Sequence, residues 1–263
     1  MNQREYRQMY QVEDFHWWYV ALHEQITSVV AMERPGTEQL HILDAGCGTG
    51  RLCRILERFG PVSGCDISDE ALECCRERGL TEVFKADLNS AVFPSSSYDI
   101  ITSIDTLYHK AIKDESVILS RFYNALKPGG LLIINLVAHE FLRSTHDIAV
   151  HTRKRYTRSE VVTLLESCGF TVGMATYRLG FLFPQIASYR LLRRWLNFTS
   201  DSAEVASDVH VPNPLINLFL LSFARIENQL ILKSSIPFGT SVFAVGKKPY
   251  TSPSLWRLVH VVN

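Results

Sequence analysis

The stretch His41-Ile42-Leu43-Asp44-Ala45-Gly46-Cys47-Gly48-Thr49-Gly50-Arg51 holds the most telling pattern in the chain. His41 to Asp44 has the form of a short strand, and a helical pattern runs from Arg51 to Phe59. Three alternating glycines lie between them. Glycine lets the backbone take positive φ and lets a ligand approach where a Cβ would obstruct it. The helix that follows offers unpaired N–H groups at its start. A dinucleotide fingerprint, Gly-x-Gly-x-x-Gly, would place its third glycine at position 51, which is Arg51. A phosphate loop would need Lys and then Ser or Thr where Arg51 and Leu52 stand. Asp44, two residues before the first glycine, would repel a pyrophosphate and suits a ligand carrying positive charge.

Working outward, Val62 to Asp66 reads as a second strand. Ser68 is placed to cap a helix whose Ala71, Leu72, Cys75 and Leu80 share a face. Glu82 to Ala86 reads as a third strand, and Tyr98 to Ile104 as a fourth that is apolar enough to be buried on both faces. A helix from Asp114 to Leu126 ends at Lys127-Pro128-Gly129-Gly130, and a strand follows over Leu131 to Leu136. After a loop-rich segment, Val137 to Tyr156, come a helix (Ser159 to Cys168), a strand (Phe170 to Tyr177) and a last strand (Thr240 to Gly246). Strands alternating with helices imply right-handed crossovers. The expected fold class is α/β, a doubly wound, mostly parallel, seven-stranded Rossmann-like sheet. The core spans 40–178 and 239–248. An N-terminal helical segment (1–39) carries the aromatic cluster His16-Trp17-Trp18-Tyr19. A helical cap (179–238), punctuated by Pro184, Pro212, Pro214 and Pro237, is inserted before the last strand, and a tail covers 249–263.

Lysine plus arginine and aspartate plus glutamate each total 27 in 263 residues, so the formal charge is zero. No global field gathers polyanions, which argues against nucleic acid as the partner. The basic run His151 to Arg155 reads as a solvated loop. Five of the six cysteines fall in the glycine-turn half and none forms Cys-x-x-Cys, the usage of a reducing compartment. The polar start, Met1 to Glu5, is unlike a signal peptide. The most apolar stretch, Leu215 to Leu232, is broken by Asn217, Arg225, Glu227, Asn228 and Gln229, so no membrane span is expected. The expected location is the cytoplasm.

The glycine turn with its preceding acid resembles the first motif of the class I S-adenosylmethionine-dependent methyltransferases, hydrophobic-Asp/Glu-x-Gly-x-Gly-x-Gly. Asp66 ends the second strand where that family places an acid on the ribose hydroxyls, and Asp87 ends the third where it contacts the adenine amino group. Tyr98-Asp99-Ile100-Ile101-Thr102-Ser103 and Ala125-Leu126-Lys127-Pro128-Gly129-Gly130 resemble its fourth strand and the turn before its fifth. The resemblance covers roughly Leu40 to Leu136. It implies S-adenosyl-L-methionine as cofactor, held by Asp44, Gly46, Cys47, Gly48, Gly50, Asp66, Ile67, Asp87, Leu88, Ile104 and Trp18. The flanks resemble a bacterial small-molecule subgroup, through His16-Trp17-Trp18, His146-Asp147 to Arg155-Tyr156-Thr157, and Pro237-Phe238-Gly239. Where that subgroup places arginines after the aromatic pair, this chain has Tyr19-Val20-Ala21-Leu22-His23.

The implied reaction is methyl transfer to a small or medium-sized acceptor, with an oxygen or nitrogen acceptor favoured. It needs alignment and exclusion of water, and a base only where the acceptor starts protonated. The candidates lie in the loop after the fourth strand, Asp105-Thr106-Leu107-Tyr108-His109, and after the fifth, in His139, His146, Asp147, His151 and Tyr156: the catalytic candidates are His109, His146 and Tyr156, with Tyr156 and Arg155 as a substrate wall and His146-Asp147 as a loop-locking pair. No metal is expected. His23-Glu24 and His139-Glu140 begin like a zinc-protease helix, but Thr27 and Arg143 replace the second histidine. Asp105 and Asn135 lack the companion aspartate of a magnesium-assisted catechol site. Asp105-Thr106-Leu107-Tyr108 lacks the Pro-Pro-Tyr/Phe signature of base-modifying enzymes. In the cap, Phe181, Phe183, Tyr189, Trp195, Phe219 and Phe223 are expected mostly as core. Arg190, Arg193 and Arg194 allow a peripheral membrane contact or a lipid-linked substrate. The competing readings are a non-catalytic partner module, an RNA or protein methyltransferase and, least favoured, a nicotinamide oxidoreductase.

Overall fold

A computed structural model describes residues 3–36, 39–195 and 212–250. Its strands are β1 (Ile42–Ala45), β2 (Val62–Asp66), β3 (Val83–Lys85), β4 (Tyr98–Ile104), β5 (Leu126–Val137), β6 (Thr171–Arg178) and β7 (Ser241–Lys247). They form one seven-stranded sheet in the order β3-β2-β1-β4-β5-β7-β6. Every pairing is parallel except the two made by β7. The described helices are α1 (Gln3–Val12), α2 (Trp17–Glu33), α3 (Arg51–Leu56), α4 (Asp69–Glu77), α5 (Glu115–Ala125), α6 (Thr145–Ala149), α7 (Arg158–Ser167), α8 (Phe183–Trp195) and α9 (Pro214–Ile231).

Both faces of the sheet are covered, which is why its central strands are apolar on both sides. On one face Ile118, Leu119 and Phe122 of α5 and Val161 and Leu165 of α7 pack against Ile101, Leu132 and Ile134. On the other, Leu22 and Ile26 of α2, Leu52 and Leu56 of α3, and Leu72 of α4 pack against Ile42, Ile100 and Ile133. Local chemistry fixes the helix starts. Ser68 accepts the Ala71 N–H at the head of α4 and Asp114 accepts that of Ser116 at the head of α5. Thr157 and Glu160 form a reciprocal capping box at α7.

Three features differ from the sequence reading. β5 starts at Leu126 rather than Leu131, because Leu126 pairs with Tyr98 before a register irregularity at the Pro-Gly-Gly turn. The cap and the N-terminal segment share one layer. Trp17, Ala21, Leu179, Leu221 and Ala224 form a common cluster, Asn228 Nδ2 donates to the Ala21 carbonyl (2.7 Å), and the Trp17 N–H donates to Asn217 Oδ1 (2.9 Å). The basic run is held in ion pairs rather than solvated: Arg153 with Glu115, Lys154 with Glu160 and Arg155 with Asp147. Cap residues 196–211 and tail residues 251–263 lie outside the described residues.

Candidate active site

In open parallel sheets, ligands bind at the carboxyl ends of the strands, where the connections diverge. Here those ends border a cavity of about 500 Å³. On one side the chain leaves β1 through Gly46 and Gly48, both with positive φ (84° and 53°). A Cβ on Gly46 would overlap the Thr106 side chain. The Gly48 N–H donates to Asp66 Oδ2 (3.0 Å) and the Ser68 N–H donates to Asp66 Oδ1 (2.9 Å). Burial raises the Asp66 carboxyl above its usual range, and these backbone donors oppose the rise. Ile67, Asp87, Leu88, Ile104 and Trp18 line the same cavity.

Asp44, Cys47 and Gly50 stand behind this wall rather than in it. Asp44 is fully enclosed, accepts the Thr102 hydroxyl (2.7 Å) and the Cys53 thiol (3.4 Å), and is pushed by burial up to about 6. It ties β1 to β4 beneath the loop. The Cys47 Sγ lies 3.9 Å from Cys75 Sγ, and Gly50 opens α3 against Leu80. A motif shows which residues shape a loop but not which of them face its ligand.

The roof was not legible in the sequence. Tyr6 and Met9 of α1 line the cavity, with the Tyr6 phenol against Asp66 and Ser68. Arg7 holds α1 to α4 through Glu70, Glu73 and Glu77. Glu13 accepts the Thr49 hydroxyl and Arg78 Nη2. The one available signal was the spacing of those three glutamates on a single face of α4.

The far side of the cavity carries Asp105, Tyr19, Tyr108, His109 and Arg155. Asp105 follows β4 in a left-handed conformation (φ 53°), and Asn135 Nδ2 donates to both its oxygens (3.0 and 3.2 Å). Burial raises the Asp105 carboxyl to about 7, and the nearby Arg178 charge opposes the rise. Arg178 itself is completely buried. Its guanidinium finds no hydrogen-bond partner among the described residues, and burial lowers it to about 10.

The predicted acid–base residues separate on inspection. His109 lines the cavity, and burial lowers it to about 4. Its Nδ1 accepts the Ala111 N–H (3.0 Å), so the neutral ring carries its proton on Nε2. Tyr156 is not in the cavity wall. It is buried in the core beneath, where its hydroxyl donates to Glu115 Oε1 (2.9 Å). His146 belongs to α6, but its side chain lies outside the described residues. Arg155 donates to Asp147 through two bonds of 2.8 and 3.0 Å and also to the Ala138 carbonyl, which holds this loop to the end of β5.

Residues 43–134 match the family model described as "Methyltransferase domain", a span that holds every predicted cofactor residue except Trp18. Together with the sheet order and the glycine turn, this establishes that the chain carries a class I S-adenosylmethionine-dependent methyltransferase domain. Among known proteins, phosphoethanolamine N-methyltransferase 3 of Arabidopsis thaliana is 31% identical over 129 residues, 46% of this chain and 25% of that one. The ubiquinone biosynthesis O-methyltransferase of Chelativorans is 34% identical over 103 residues, 37% of this chain and 40% of that one. The chain thus spans well under two thirds of these relatives. Two solved structures share the fold. Phosphoethanolamine N-methyltransferase 2 of Haemonchus contortus, in complex with S-adenosyl-L-methionine, gives a TM-score of 0.56 at 22% identity, covering 86% of this chain and 52% of that one. An S-adenosylmethionine-dependent methyltransferase from Mesorhizobium loti gives 0.53 at 17%, covering 85% and 97%.

Proposed function

We propose that the protein transfers a methyl group from S-adenosyl-L-methionine to a small or medium-sized acceptor bound beside Asp105 and His109. The observation that carries this reading is one continuous cavity that joins the glycine turn and Asp66 to an ionisable far wall. The cavity fits the cofactor. Gly46 and Gly48 leave room for close approach, Asp66 would take the ribose hydroxyls, and Asp87 and Leu88 would flank the adenine. When bound, the cofactor supplies a methyl group already activated by a sulfonium charge.

The chain's own residues then orient the acceptor and exclude water. Tyr6, Met9 and Trp18 cover the cofactor side. Asp105, whose carboxyl burial raises to about 7, is suited to receive a proton from a hydroxyl or ammonium acceptor, and His109 stands beside it in the cavity wall. The names of the matched relatives give a phosphoethanolamine nitrogen or ubiquinone biosynthesis, but the family model ends at residue 134, before the loop that follows β5, and the acceptor stays open. Among the described residues, no helix is long and apolar enough to cross a membrane. We place the protein in the cytoplasm on its sequence composition.

Calorimetric titration with S-adenosylhomocysteine tests the reading. Micromolar binding is expected, weakened in Asp66→Ala by roughly 1.5–3 kcal/mol through loss of charge-assisted hydrogen bonds. Failure of the unaltered protein to bind at saturating concentration would reject it.

A further inference from the structure

The cavity does not end beside the cofactor residues. Gly46, Asp66 and Asp87 follow β1, β2 and β3, on one side of the switch point between β1 and β4. In the other direction the cavity runs past β4 to the ends of β5 and β6. β6 lies four places from β1 in the sheet, roughly 19 Å away at the usual strand spacing. That second half is space for the acceptor.

Its wall is apolar. Val137 ends β5, Leu142 and Val150 belong to the loop after it, Leu179 follows β6, and Leu182 and Ile186 come from the start of the cap. Side chains from separate parts of the fold thus converge on one space. Val137, Val150, Leu182 and Ile186 are only half-buried, so they line the cavity and keep apolar surface accessible. Small-molecule sites have this composition, a mainly apolar wall with a few placed polar groups.

The polar groups restrict the charge of what can enter. Arg155 gives all three guanidinium nitrogens to Asp147 and the Ala138 carbonyl. Arg190 already has a partner. His16 and His109 each accept a backbone N–H at Nδ1, a bond the protonated ring could not make. Arg178 is completely buried and does not line the cavity. Against these, Asp66, Asp87 and Asp105 bring carboxyls to the same cavity. Among the described lining residues no cation is left to pair with a phosphate or carboxylate, and burying such a group unpaired is costly.

We propose that the acceptor carries an apolar body, aliphatic or aromatic, and no phosphate or carboxylate. The body fills the space between the loop after β5 and the start of α8, and the reacting hydroxyl or amine lies at Asp105. The reacting group rests on the methyltransferase reading. Binding of an apolar, non-anionic molecule in this half does not.

Calorimetric titration of the full chain, with and without saturating S-adenosylhomocysteine, tests the assignment with three phenols: para-cresol, para-pentylphenol, and the analogue of the latter whose terminal methyl is a carboxylate. We expect para-pentylphenol to bind at least tenfold more tightly than para-cresol, and the carboxylate to weaken binding tenfold or more. Ile186→Asn should weaken para-pentylphenol about tenfold while leaving the melting temperature and the S-adenosylhomocysteine titration unchanged. Equal affinity for para-cresol and para-pentylphenol, tighter binding of the carboxylate, or full retention by the folded variant would overturn the proposal. The comparison among ligands uses the unaltered protein and stands whether or not the variant folds. The expected preference in a protein that does not bind S-adenosylhomocysteine would support the apolar site and reject the methyltransferase reading alone. Cofactor binding without the preference would do the reverse.

Discussion

Asp105 combines three unfavourable circumstances. It is a non-glycine residue at positive φ, burial in the cavity wall disfavours its charge, and the guanidinium that would balance it, Arg178, makes no direct bond among the described residues. Its carboxyl is raised to about 7, above its value of 3.8 in the free side chain. A raised folded value means that its stabilising contribution is complete below the unfolded pKa and is lost as pH rises through about 7. The ionised form costs stability but is the one able to accept a proton. With a hydroxyl or ammonium acceptor, kcat/KM should therefore fall as the pH drops below about 7. Asp105→Asn should lower turnover at pH 8 by roughly a hundredfold or more and flatten that limb of the profile, while raising the melting temperature at the same pH. A variant that keeps the unaltered rate and profile would remove Asp105 from the reaction.

Among the elements, α7 is held by chemistry visible in its sequence. Thr157 accepts the Glu160 N–H, and Glu160 reaches back to the Thr157 N–H (2.7 Å). Thr157→Ala should cost about 1 kcal/mol in urea unfolding and leave S-adenosylhomocysteine affinity unchanged, since α7 does not line the cavity. The same kind of legibility extends to β1, β2 and β4, whose apolar runs end where the strands end; β4 is bounded as expected, at Tyr98 and Ile104. These segments state their burial locally. Tyr156 did not, because a tyrosine beside two charged residues reads alike in a cavity wall and in a core where Glu115 receives its hydroxyl. Asp44 likewise belongs to the motif yet faces Thr102, since side-chain direction at a strand end depends on the neighbouring strand. α9 leaves Phe219 and Phe223, expected as core, on an exposed face, which was missed for a related reason. Its pattern is apolar nearly all round, and only the partner layer, α2, decides which side is covered.

Over the whole molecule, α1 lies between the cofactor side of the cavity and solvent, fastened mainly at Arg7 and Glu13. Cofactor exchange should therefore require this helix to lift. Arg7→Ala breaks contacts with three carboxylates at once and should raise the S-adenosylhomocysteine dissociation rate several-fold and reduce its salt dependence, measured by stopped-flow fluorescence. An unaltered rate would mean that the ligand leaves by another path.

The strand order has a bearing on how the protein is made. β6 does not touch β5; β7, formed from residues 241–247, lies between them and pairs with both. A chain emerging from the ribosome can assemble β1 to β5, with the whole glycine-turn half, while β6 still has no partner strand. That strand waits through some sixty residues of synthesis, including the apolar α9. Closure of the sheet thus waits for β7, and a stop between β6 and β7 would leave β6 without a partner strand and β5 with an open edge.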